Sequence, residues 1–281
     1  MAKSVLTRNN VTVKGEGEQP IIFASGFGFD QTVWSSVSNS FEQDFQIIQY
    51  DYVGFGDSDI AAYDQAKYST LSGYVSDLLE IFDELKINNA IFVGHSIGSM
   101  IGILASTKRP ELFSKLVLIG PSPYFLNEPP TYYGGFDKDD LDHLIDMMEK
   151  NYLEWVSNIA PTITNDPNRL DVTMDIEDRF YANNPTITRQ FAEVIFFGDN
   201  RPFLPKVTVP SLIIQCSNDV FVPDSVAEYM KVNLPNATIT YSNSIGHCPH
   251  LSHPEKTVKL IKEYINEQTK VPIEQVGMEH E

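Results

Sequence analysis

Ala90-Ile91-Phe92-Val93-Gly94-His95-Ser96-Ile97-Gly98 reads as a buried strand that turns sharply into a helix. Ala90–Val93 is a short apolar run with the length and composition of a strand buried on both faces. From Ile97 to Ser106 the residues form an apolar helix. Between the two, Gly94-His95-Ser96-Ile97-Gly98 has the pattern G-x-S-x-G. Glycines flank the serine because side chains there would collide with neighbouring backbone, and so tight a bend thrusts the Ser96 hydroxyl outward.

Outward from this turn, short apolar runs alternate with longer amphipathic stretches, the pattern of parallel strands joined by crossover helices. Strands are expected at Ile21–Ala24, Phe45–Tyr50, Ala90–Val93, Lys115–Ile119, Ser211–Gln215 and Thr238–Tyr241. Val75, Leu78, Leu79, Phe82 and Leu85 recur at helical spacing, and a final helix runs from about Glu255 to Asn266. From about Tyr124 to Pro205 the alternation stops. Helical periods follow one another at Asp139–Lys150, Tyr152–Ile159, Leu170–Ala182 and Thr186–Phe197, separated by turn signals at Pro161, Asn165–Pro167 and Asn183–Pro185. The expected organisation is a core of residues 1–123 and 206–268, a helical cap of two hairpins inserted over 124–205, and a loosely held polar tail over 269–281.

Composition narrows the function. Twenty Lys and Arg against thirty-eight Asp and Glu give a formal charge of -18, a field that repels nucleic-acid phosphates and anionic lipid headgroups. No run reaches the roughly 18 apolar residues of a membrane span, and the N-terminus lacks a signal peptide's apolar stretch, so a cytoplasmic setting is expected. Cys216 and Cys248 are too few for a disulfide framework or a four-cysteine zinc cluster and read as small buried thiols; no metal or cofactor is called for.

A serine hydroxyl is a poor nucleophile at neutral pH, so it needs a base within hydrogen-bond reach and a third group to hold that base. Asp219 lies just past the strand ending near Gln215, where carboxyl ends of parallel strands present catalytic groups. His247 follows the strand at Thr238–Tyr241, and Gly246 before it frees its loop; His250 is the rival base. The chain order Ser96, Asp219, His247 is that of α/β-hydrolases. The oxyanion donors expected are the amides of Ile97, after the nucleophile, and Phe27, in the glycine-bearing loop after Ile21–Ala24. Asp51–Ser58 lacks the spacing of a phosphate loop and reads as a structural turn. A haloalkane dehalogenase would need aspartate where Ser96 stands.

At these residues the chain resembles the RsbQ-type α/β-hydrolases, bacterial stress-signalling relatives of the plant karrikin and strigolactone receptors. The carrying segments are SGFGFDQTVW at 25–34, DYVGFGDSD at 51–59, FVGHSIGSMIG at 92–102, GPSPYFLNEPPTYYGGF at 120–136 and GHCPHLSHP at 246–254. The resemblance implies an α/β-hydrolase fold, a mostly parallel central sheet flanked by helices with an inserted V-shaped four-helix cap. It implies that Ser96, Asp219 and His247 lie at the floor of an apolar pocket lined by Phe136, Trp155, Ile159, Phe196, Val220 and Phe221. Two activities follow from it: hydrolysis of a small hydrophobic ester or lactone, or ligand sensing in a stress sigma-factor pathway with a PAS-domain phosphatase as partner.

Overall fold

The apolar runs become adjacent strands of one sheet. The computed structural model describes residues 3–267, so the tail expected at 269–281 lies outside the described residues. The strands are β1 (Thr12–Lys14), β2 (Gln19–Ala24), β3 (Phe45–Gln49), β4 (Ala90–His95), β5 (Phe113–Ile119), β6 (Ser211–Ser217) and β7 (Ala237–Ile245), in spatial order β1-β3-β2-β4-β5-β6-β7. Every neighbouring pair is parallel except β1 with β3. A parallel sheet is covered on both faces, which is why Ile21, Ile22, Phe23, Phe92, Val93, Leu116 and Val117 are wholly buried whichever way they point.

Helices longer than one or two turns are α1 (Leu71–Leu85), α2 (Ile97–Lys108), α3 (Lys138–Lys150), α4 (Tyr152–Thr164), α5 (Leu170–Ala182), α6 (Pro185–Phe197), α7 (Asp224–Asn233) and α8 (Pro254–Asn266). Helix α2 follows β4 directly and is buried all round through its first ten residues, so its apolar composition is that of a central helix. Against β4 its Gly102 admits the Phe92 ring, which would lie 2.2 Å from a Cβ there.

Between β5 and β6, neighbours in the sheet, the chain leaves the core and runs through α3 to α6. Of these helices α4 packs most extensively on α5 and α3 on α6, and α3 also packs on α4. Helix α4 runs through Pro161 to Thr164 instead of stopping near Ile159. Burial of Val156, Ala160 and Ile163 along one face outweighs the local penalty of an exposed proline. Among the described residues no helix is long and apolar enough to cross a membrane.

Candidate active site

Ser96 is held in a conformation that residues with a Cβ rarely adopt, φ 52° and ψ -119°, between the end of β4 and the start of α2. Such strain costs on the order of 1–3 kcal/mol and persists only where its surroundings enforce it. Here Ser96 N–H donates to Ile119 O at 2.8 Å, and Ser99 N–H returns to Ser96 O at 3.0 Å. A Cβ on Gly94 would lie 2.5 Å from Ser99 N, and one on Gly98 would lie 2.6 Å from both Ala24 O and Ser25 O. The two glycines let α2 start against β2 and β4.

Asp219 and His247 meet across the ends of β6 and β7. Asp219 Oδ1 accepts from Phe221 N–H at 3.0 Å and Val222 N–H at 3.1 Å, and its Oδ2 faces His247 Nδ1 at 2.7 Å. A carboxylate only accepts, so Nδ1 carries the imidazole proton and Nε2 keeps a free lone pair. The Asp219 side chain is fully shielded from solvent. Gly120, at φ 54°, leaves room for the ring: a Cβ would stand 3.2 Å from His247 Cε1.

The rival histidine has a different place. His250 is fully buried, stacks on Trp34 with centroids 4.6 Å apart and has no partner at either ring nitrogen. Burial lowers its pKa to about 3. His95, beside the serine, donates from Nε2 to His247 O at 2.8 Å, and burial holds its pKa well below the usual histidine range. His95, Cys248 and His250 offer ligand atoms within 4.8 Å of one another. His95 Nε2, 3.9 Å from Cys248 Sγ, is the nitrogen that already donates to His247 O. Burial pushes both cysteine thiols up, away from thiolate chemistry.

Ser96 and His247 share one apolar cavity. Phe27, Trp155, Ile159, Phe196 and Phe221 also line it, and its volume of about 40 Å³ makes it small. Two expected lining residues are elsewhere. Val220 is 44% exposed, because the turn that aims Asp219 inward and buries Phe221 leaves the residue between them outside. Phe136 sits one layer back, packing on Phe196 and Phe221 with centroids 6.5 and 6.0 Å apart. Phe29, Phe125, Ile163 and Ile195 line the cavity without having been anticipated, since residues from four separate segments converge there only in the folded chain.

Residues 21–260 match the model of the alpha/beta hydrolase family. The chain belongs to the alpha/beta hydrolase family. Strigolactone esterase RMS3 of Pisum sativum is 40% identical to this hydrolase over 258 residues, 90% of this chain and 95% of the relative. Karrikin insensitive 2 receptor IA of Petunia hybrida is 39% identical, over 91% and 94% of the two chains. Among solved structures, a hydrolase from Oleispira antarctica superposes with a TM-score of 0.91 at 35% identity, over 94% of this chain and 97% of the other.

Within this alpha/beta hydrolase the two expected oxyanion donors stand at the start of α2 and in the loop after β2. Ile97 opens α2, so its N–H has no carbonyl one turn behind it. Phe27 follows Gly26, whose lack of a Cβ admits the His95 ring; a Cβ there would be 2.4 Å from His95 Nδ1. The Phe27 ring meets Trp155, Phe180, Phe191 and Phe196 edge-on, tying this loop to the inserted helices.

Proposed function

We propose that the chain is a serine esterase in which Ser96 is the nucleophile, His247 the general base and Asp219 the group that orients it. The supporting observation is the 2.7 Å bond from His247 Nδ1 to Asp219, with His247 and the strained Ser96 lining the same cavity. Ser96 Oγ attacks the ester carbonyl carbon while His247 Nε2 takes the hydroxyl proton. The oxyanion rests on the amides of Phe27 and Ile97. The intermediate collapses, the alkoxide leaves with the proton from His247, and an acyl-Ser96 remains. Water then gives a proton to His247 and its oxygen attacks the acyl carbon; collapse releases the acid and returns the proton to Ser96. Asp219 stays ionised throughout, stabilising the imidazolium and its tautomer.

The cavity's apolar wall selects a small hydrophobic ester or lactone with one polar centre, set at Ser96. Names of relatives support this class: one is an esterase for strigolactones, and another a methyl ester esterase from Nitrosomonas europaea. The test is hydrolysis of p-nitrophenyl acetate by Ser96→Ala. Loss of turnover with an unchanged circular dichroism spectrum is expected; wild-type turnover in the variant refutes the assignment.

The 39% identity to a karrikin receptor favours a second reading, in which slow hydrolysis accompanies ligand sensing and the inserted helices recruit a protein. In the RsbQ-type version of that reading the protein is a PAS-domain phosphatase. Turnover separates the two: roughly 10 s⁻¹, the median of enzymes, marks a metabolic esterase, and far slower turnover with ligand-dependent melting marks a sensor.

A further inference from the structure

The hairpin of α4 and α5 grips both halves of the site just described. At its elbow, Ile163 and Thr164 end α4 and leave carbonyls without intrahelical partners. Ile163 O accepts the backbone N–H of His247 at 3.0 Å. Gly246, at φ 82°, lies so close to Thr164 that a Cβ would stand 2.0 Å from its carbonyl oxygen. Asn165 then takes the left-handed conformation, φ 45°, and its side-chain amide donates to Asn218 O at 2.8 Å, one residue before Asp219. The loops carrying the aspartate and the histidine are therefore both fastened to one helix end.

The other end of the hairpin holds the loop after β2. Asn183, just past α5, donates from its side-chain amide to Gly28 O at 2.8 Å, next to Phe27. Arg179 on α5 reaches Asp30 at 3.1 Å and Thr32 Oγ1 at 2.7 Å. Phe180 lies against Gly28, where a Cβ would be 2.3 Å from its ring. Helix α4 meanwhile contributes Trp155, Ile159 and Ile163 to the cavity wall, so whatever fills the cavity bears on the same hairpin.

From these contacts we infer that Asn165 and Asn183 are positioning residues: Asn165 sets the Asp219–His247 pair and Asn183 sets the oxyanion loop, each through a main-chain carbonyl. The inference rests on the triad reading above. The geometry of the two halves then depends on the inserted hairpin and not on the core loops alone, and displacement on the order of 1 Å at such a site costs up to about a hundredfold in rate.

The two ends make different signatures. Asn165→Gly is compatible with the left-handed backbone and removes the side chain with its amide donor; Asn165→Asp keeps the size and replaces the donor by a charged acceptor, a second variant should the first fold poorly. With p-nitrophenyl acetate, both are expected to lower kcat about tenfold or more with KM within about twofold, and to displace the pH midpoint of kcat. Asp219, His95 and His250, the titratable groups around His247, are untouched in both, and a midpoint displaced also in the uncharged Asn165→Gly separates positioning from the charge that Asn165→Asp adds. Asn183→Ala is expected to lower kcat comparably with the midpoint unmoved, because amide donors do not titrate. All rates are divided by the fraction of sites that a serine-directed phosphonate titrates. Wild-type kcat and midpoint in the Asn165 variants and in Asn183→Ala overturn the inference, as does a fall in kcat that this correction removes. Ser96→Ala in the same assay separates the levels: if it is inactive while the asparagine variants match wild type, the triad stands and only the positioning role is lost.

Discussion

His95 donates from Nε2 to the main-chain carbonyl of His247 at 2.8 Å, bonding the residue before the candidate nucleophile to the candidate base itself. His247 is thus held on three sides: at its carbonyl by His95, at its amide by Ile163 O, and at its ring by Asp219. Few rotations are left to it, which is what preorganised proton transfer requires.

The Asp219 bond decides which nitrogen of His247 is free. In Asp219→Asn the side chain can offer its amide where the carboxylate stood and so present a donor to Nδ1, reversing the tautomer. kcat for a p-nitrophenyl ester is expected to fall about ten-thousand-fold while the melting temperature stays near wild type. Activity within tenfold of wild type contradicts the role given to the carboxylate.

Acid sensitivity follows from the buried histidines. Unfolded, His250 titrates near 6.5, but folded it takes no proton until about pH 3. Between those values the unfolded chain binds a proton that the native chain does not, so stability falls as pH drops through that window. This group contributes a slope of up to about 1.4 kcal/mol per pH unit. His95 acts in the same direction. In His250→Phe, which keeps an aromatic ring against Trp34, urea unfolding measured from pH 7 to pH 4 should show a shallower decline than wild type. Parallel declines contradict it.

Asp51 is a structural anchor. Its buried carboxylate accepts from Gln31 N–H at 2.7 Å, Asp57 N–H at 3.0 Å and Asn10 Nδ2 at 2.8 Å. Asp51→Ala leaves two main-chain donors without partners, at about 1–3 kcal/mol each. The urea midpoint is expected to drop while kcat below the unfolding range is retained. A lost kcat with an unchanged midpoint assigns this turn to the chemistry instead.

The sheet was legible because parallel strands leave continuous apolar runs; six of the seven were expected near their observed places. β1 was not, since Thr12–Lys14 is an exposed three-residue edge strand with no apolar run to reveal it. Helix α7 also went unread, its buried face amounting to Val226, Ala227 and Met230. At the site, the G-x-S-x-G turn and the chain order pointed to Ser96, Asp219 and His247. The cavity wall was less legible. Whether Val220 or Phe221 faces inward depends on which amides Asp219 collects, and Ile163 depends on α4 continuing past Pro161. The work of His95 and Asn165 could not be read at all, because each acts on a main-chain atom of a residue distant in the chain.

The most direct measurement is mass spectrometry of the full chain after reaction with a serine-directed p-nitrophenyl phosphonate. One adduct per chain is expected, in the peptide carrying Ser96, with none in Ser96→Ala. An adduct on another residue, or labelling of Ser96→Ala at the wild-type rate, contradicts the assignment of Ser96 as the nucleophile.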